Sequence, residues 1–122
     1  MSEQNGYAGK AVLLGANKRR FVDIDVPDVG RFRIRSLSEL ERSKYEAGFL
    51  DAKGTPKTAR LIEGKIRLII LCVCDVEGLQ LMSNADAVAL GGVDSVITNV
   101  MFEACQDHCG FTNADLEELA GN

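Results

Sequence analysis

A chain of 122 residues is long enough for one domain with a real core and too short for two of ordinary size. Apolar residues make up 46% and charged residues 26%, the balance of a chain that folds and not of a disordered one. The formal charge of −4 argues against nonspecific nucleic-acid binding, which needs clustered Lys and Arg in excess of nearby carboxylates. The one basic cluster, Lys18-Arg19-Arg20, reads as a solvated loop. The apolar stretch "AVLLGA" near the start is too short for a secretory core, and "LIILCVC" (68–74) falls far short of the ~20 residues that span a bilayer. No membrane role is expected. The compartment this suggests is the cytosol, where Cys72, Cys74, Cys105 and Cys109 are reduced thiols.

Residues 1–17 mix Gly, Ala and polar residues without a sustained period, so they read as a flexible N-terminus with a short strand at 11–14. Residues 18–122 read as a single domain. In "FVDIDV" (21–26) and "RFRIR" (31–35) apolar and charged residues alternate, the pattern of half-buried strands, and "PDVG" (27–30) between them is a turn. Charge fixes the expected register: setting Ile24 against Phe32 or Ile34 also sets Asp23 and Asp25 against arginines, whereas a one-residue slip opposes Ile24 to Arg33. Ser36 and Glu39 have the S-x-x-E form of a capping box, so a helix should start there, with Leu37, Leu40, Tyr45 and Phe49 near one face. Gly54 and Pro56 close that segment.

From Lys57 to Asp75, Leu61, Ile62, Ile66, Ile69, Ile70 and Val73 recur at helical spacing. The β-branched density of 66–73 keeps a strand open as an alternative for that half. "DVEG" (75–78) is a turn and "LQLM" (79–82) an extended piece. Ser83 with Asp86 caps a short helix over Ala85–Leu90, ended by Gly91 and Gly92. A longer helix at 94–109 carries Val96, Ile97, Val100, Met101, Ala104 and Cys105 as its apolar stripe, and Gly110 stops it. Thr112 and Asp115 cap a last short helix containing Leu116 and Leu119. The expected fold is mostly α: a small helical domain with an N-terminal β-hairpin at about 21–35, α+β in a minor sense.

Little in this pattern carries chemistry. The four cysteines and His108 can be written as a metal-ligand string, but Cys72 and Cys74 at i and i+2 diverge on a helix. Cys105 and Cys109 share a face with Ile97 and Met101, and neither pair has the tight knuckle of a structural zinc site. His108 and Cys109 are adjacent on a helix and point about 100° apart, a poor geometry for a nucleophile and its base. Glu117 and Glu118 read as solvated charges. Gly91-Gly92 lacks the lysine and spacing of a phosphate loop. No catalytic residue, metal or cofactor is expected, and the chain does not read as an enzyme.

Three stretches in order, "FRIRSLSELERSKYEAGFLDAKG", "ARLIEGKIRLIILCVCDVEGLQLM" and "NADAVALGGVDSVITNVMFEACQDHCGFTNADLEELAGN", give a different clue. Together they resemble the tail assembly chaperones of long-tailed bacteriophages. The particular echoes are Arg35, Leu37, Glu41-Arg42 and Tyr45-Glu46 in the first, R-L-I-x-L-C-x-x-D-x-x-G-x-x-L in the second, and T-N-A-D-L-E-E-L at the end. The resemblance implies a non-enzymatic factor of the infected host's cytoplasm, absent from the mature virion. It coats the helical tape measure protein, keeps it soluble and helps recruit tail tube subunits, through a longer frameshifted form in many members. Homo-oligomers fit a protein that coats a long partner. The alternatives are another morphogenesis component, such as a head-tail connector or completion protein, or a cysteine-based metal or redox regulator.

The partner surface expected on this reading is the last helix. About two turns long, Asn113–Ala120 is not stable alone and must dock. Phe111, Leu116 and Leu119 are its apolar contacts, and they pack either on the body's own long helix or on a tape measure helix.

Overall fold

The computed structural model describes residues 6–48 and 60–111. Its first element, helix α1 (Lys10–Leu14), stands where the sequence suggested a strand at 11–14. None of its residues is buried, and a five-residue segment with no sheet neighbour among the described residues satisfies its backbone more readily by local turns.

Strands β1 (Phe21–Val26) and β2 (Gly30–Arg35) form the expected hairpin in the expected register, with Ile24 opposite Phe32, Asp23 opposite Arg33 and Asp25 opposite Arg31. Arg33 holds Asp23 through two parallel hydrogen bonds of 2.8 and 3.1 Å, and Arg31 reaches Asp25 at 3.3 Å. At the tip the Val29 N–H donates to the Val26 carbonyl at 3.1 Å across Pro27 and Asp28. Asp28 there has φ of 65° and Gly30 φ of 145°. Asp28, whose short polar side chain tolerates the left-handed region, therefore supplies the positive φ inside the turn, and Gly30 supplies the one that re-enters the strand.

Helix α2 (Glu39–Ala47) starts two residues later than the first S-x-x-E suggests. The chain contains two overlapping boxes, and the second is used: the Glu41 N–H donates to Ser38 Oγ at 3.2 Å and the Ser38 N–H to Glu41 Oε1 at 2.8 Å. Ser36 is taken by the sheet. Its N–H donates to the Arg20 carbonyl at 2.9 Å, and its Oγ accepts from the Arg20 N–H at 2.9 Å, which carries the ladder one pair past the strands. The delayed start also turns Leu40 to solvent, at 65% exposure, while Tyr45 faces the core. Phe49 lies outside the described residues.

Helix α3 (Arg60–Cys72) runs through the β-branched stretch and ends three residues short of Asp75. Val73 then joins a two-residue strand, β3 (Val73–Cys74), antiparallel to β2 and opposite Ile34. Of the stretch 66–73 only Val73 is in a strand, where a ladder partner exists; the rest is helix. "DVEG" turns as expected: the Gly78 N–H donates to the Asp75 carbonyl at 3.0 Å, and Asp75 Oδ1 accepts from the N–H groups of Glu77 and Leu79 at 2.8 and 3.0 Å. Gln80 bridges back to Cys74.

A 3₁₀ turn (Asn84–Asp86) capped by the Ser83/Asp86 box leads into α4 (Ala87–Gly91), and α5 (Ser95–Cys109) follows behind Asp94 as its N-cap. Helix α5 packs on α3 and underlies β1 and β2. Its buried face is wider than the expected stripe: Met101 and Cys105 are buried and Ile97, Val100 and Ala104 pack against the core, but Phe102 and Gln106 are buried too, and of the stripe Val96 alone is turned to solvent, at 69% exposure. At about 100° per residue Val96 lies opposite the face that covers the bulky Phe102 ring. The core joins Val26 and Ile34 of the sheet, Tyr45 of α2, Leu68, Ile69 and Ile70 of α3 and this face of α5. The domain is mostly helical with a small three-stranded antiparallel sheet in the order β1-β2-β3.

Candidate functional site

The residues of interest gather where α5 ends. Gly110 adopts φ of 77°, its N–H donates to the Asp107 carbonyl at 3.3 Å, and the Phe111 N–H donates to the Gln106 carbonyl at 2.9 Å. This double closure is the Schellman termination, which turns the residue after the glycine back against its own helix and favours an apolar side chain there. Phe111 obeys it. Its ring is 4% exposed, meets Tyr45 edge-on at 5.5 Å between centroids, and lies 4.1 Å beneath the Arg42 guanidinium.

Two arginines from elsewhere in the chain complete the clamp. Arg20 donates to the His108 carbonyl at 2.9 Å and Arg42 to the Cys109 carbonyl at 3.4 Å, so cations meet the unsatisfied, negative end of the helix. Arg20 also offers its own carbonyl to His108 Nε2 at 3.0 Å. Tyr45 donates to the Gly64 carbonyl at 2.8 Å, and its burial raises the phenol's pKa above its ordinary value. Phe111 is thus held on the chain's own body, chiefly on α2. Leu116 and Leu119, the other two residues singled out from the sequence, lie outside the described residues.

Beneath the clamp the thiols come together more closely than their spacing suggested. The Sγ atoms of Cys72 and Cys109 are 3.5 Å apart, and Cys109 Sγ also donates to the Arg35 carbonyl at 3.7 Å. A hydrogen bond with Cys105, together with burial, raises the Cys72 pKa despite an opposing contribution from Cys109. The hydrogen bond with Cys72 and burial raise that of Cys109. Cys74 stands apart, with its Sγ 3.5 Å from the Arg33 carbonyl, and burial raises its pKa too. Among the described residues no group of three or more His, Cys, Asp or Glu is arranged to hold a metal ion.

The opposite wall is Arg35, only 8% exposed although charged. Its guanidinium donates to the Leu71 carbonyl at 2.9 Å, to Gln80 Oε1 at 3.3 Å and to the Gly78 carbonyl at 3.4 Å. One side chain therefore ties β2 to the end of α3 and to the turn beyond it. Arg19 does the same on the other flank, gripping Glu41 with two bonds of 2.7 and 2.5 Å and the Ser36 carbonyl at 2.7 Å. That grip holds the Glu41 carboxyl down at about 2.

Arg20, Arg42 and Tyr45 were not expected at this site. The Gly-Phe pair directly after a long apolar helix was a readable signal for the buried ring, whereas the arginines come from segments far apart in sequence. Comparison with protein-family models, with curated proteins and with solved structures returns no match.

Proposed function

We propose that the chain is a non-enzymatic tail assembly chaperone of a long-tailed bacteriophage, which binds the tape measure protein, keeps it soluble and promotes tube assembly. The observation that carries this reading is the ordered resemblance of three segments across residues 32–122. Arg35, Glu41, Arg42 and Tyr45, echoes in the first segment, all take part in the clamp or its flanks, and Cys72 in the second lies directly beneath it. The function lies in a surface, and the segment after Phe111, with Leu116 and Leu119, is the one we assign to the partner, leaving a fixed point on the body.

Co-expression with the tape measure protein of the same phage tests it. The expected result is a soluble complex that Leu116→Asp abolishes, while circular dichroism and melting of the free protein stay unchanged. Unchanged complex formation would move the partner surface elsewhere. Failure of the wild type to keep that tape measure protein in solution would reject the chaperone reading. Mass spectrometry of purified virions separates the chaperone, expected to be absent, from a connector or completion protein, which stays in the particle.

A further inference from the structure

We propose that Cys109 is a site of peroxide oxidation resolved by Cys72, so that the two residues close a reversible disulfide joining the end of α5 to the end of α3. The inference is independent of the assembly role. It starts from the 3.5 Å between the two sulfurs across a packed helix pair, at residues 37 apart in sequence. A disulfide needs about 2.0 Å, so closure asks for an approach of roughly 1.5 Å, within reach of side-chain torsion and a small helix adjustment. Exposure divides the roles. Cys109 is only half-buried, the more exposed of the two, while Cys72 is wholly enclosed.

The chemistry balances with hydrogen peroxide as the oxidant. The Cys109 sulfur attacks one peroxide oxygen, the O–O bond breaks, and the thiol proton leaves with the other oxygen as water; Cys109 becomes a sulfenic acid. The Cys72 sulfur then attacks the Cys109 sulfur, the S–O bond breaks, and hydroxide leaves with the Cys72 proton as a second water. Two thiols and one peroxide give one disulfide and two waters. Because the mutual hydrogen bond and burial keep the Cys109 thiol protonated, the first step is slow at neutral pH, and sustained peroxide is required. Cys105, one turn before Cys109 and also bonded to Cys72, is the internal competitor; it is fully enclosed, so the oxidant does not meet it first. The link, once made, pins the exit at Phe111 by a covalent bond beneath the clamp.

The full-length, reduced, folded protein is treated with hydrogen peroxide and its remaining thiols are blocked. No Lys or Arg follows Arg67, so proteases that cut at acidic residues are used; Asp107 lies between Cys105 and Cys109 and lets their peptides be told apart. The expected product is lighter by two hydrogens and carries a Cys72–Cys109 cross-link. The link persists in C74S and C105S, reverses with dithiothreitol, and raises the melting temperature by roughly 5–15 °C, since it closes a long loop of the unfolded chain. Denaturant-unfolded protein treated alike should give mixed pairings. Sulfinic acid on Cys109 without a cross-link, or Cys72 linked to Cys105, in the wild type would overturn the proposal, and neither readout depends on a variant folding.

Discussion

Strands β1 and β2 have the same length and the same alternation, yet they occupy different worlds. In β2, Ile34 is fully buried and even Arg35 is 8% exposed; in β1, directly opposite, Val22 is 38% and Phe21 45% exposed. The difference comes from position. Helix α5 underlies both strands, but β2 is flanked by β1 and β3, whereas among the described residues β1 is an edge with a neighbour on one side only. Alternation says that a residue points toward one face, and the number of neighbours decides whether that face is covered.

Truncation should expose this contrast most strongly. Ile34→Ala should destabilise by about 2–5 kcal/mol, the range for a fully enclosed aliphatic side chain. Val22→Ala, its cross-strand partner, should lose less than about 1 kcal/mol. Urea unfolding of the two variants checks the pair, and equal losses would break the edge-against-centre account.

Next in size is Arg35→Met, which keeps the apolar stem but strands the Leu71 and Gly78 carbonyls and Gln80. We expect a loss of about 1–3 kcal/mol, with amide exchange near Gln80 and Leu81 accelerated before that of the β1–β2 ladder.

The third concerns how the start of β1 is held. The Arg19 bonds lower Glu41 from an ordinary 4.5 to about 2. A depressed carboxyl contributes stability that is complete above the unfolded value and is lost as pH falls through the folded one. Stability should therefore drop between pH 4.5 and 2, and Glu41→Gln should flatten part of that slope while lowering stability at pH 7. Acid titration of the melting temperature measures both, and an unchanged slope would place the acid sensitivity in other carboxylates.

The smallest effect sharpens the hairpin itself. Asp25→Lys should cost ~0.5 kcal/mol or less, because Asp25 and Arg31 are 79% and 70% exposed, and Arg31→Asp should restore part of it. A double-mutant cycle at Asp23 and Arg33, where the bonding is bidentate, should show the larger coupling. Zero coupling in both cycles would contradict the register.

Much of the architecture was legible because it is written in local patterns. The hairpin register follows from charge and alternation, the Ser83/Asp86 box caps where its spacing says, and Gly110 ends α5. The misreadings came where two local signals compete and a distant partner decides. Ser36-x-x-Glu39 and Ser38-x-x-Glu41 are equal as strings, but Arg20 claims Ser36 for the sheet. Val96 fits the apolar stripe of α5 as well as Phe102 fits outside it, and only the packing of α3 settles which face turns inward. Cys72 and Cys109 show the same limit, since no spacing along the chain announces that two helix ends meet at their thiols.

The ring contact at the end of α5 also gives the molecule an optical reporter. The chain has no tryptophan and two tyrosines. Tyr7 is 76% exposed, while Tyr45 is 1% exposed and sealed by Phe111. Iodide should therefore quench the emission of one tyrosine and spare the other. Any event that lifts Phe111 from its seat, whether a partner, an oxidant or a substitution, would be read as a rise in the quenchable fraction, with no label attached.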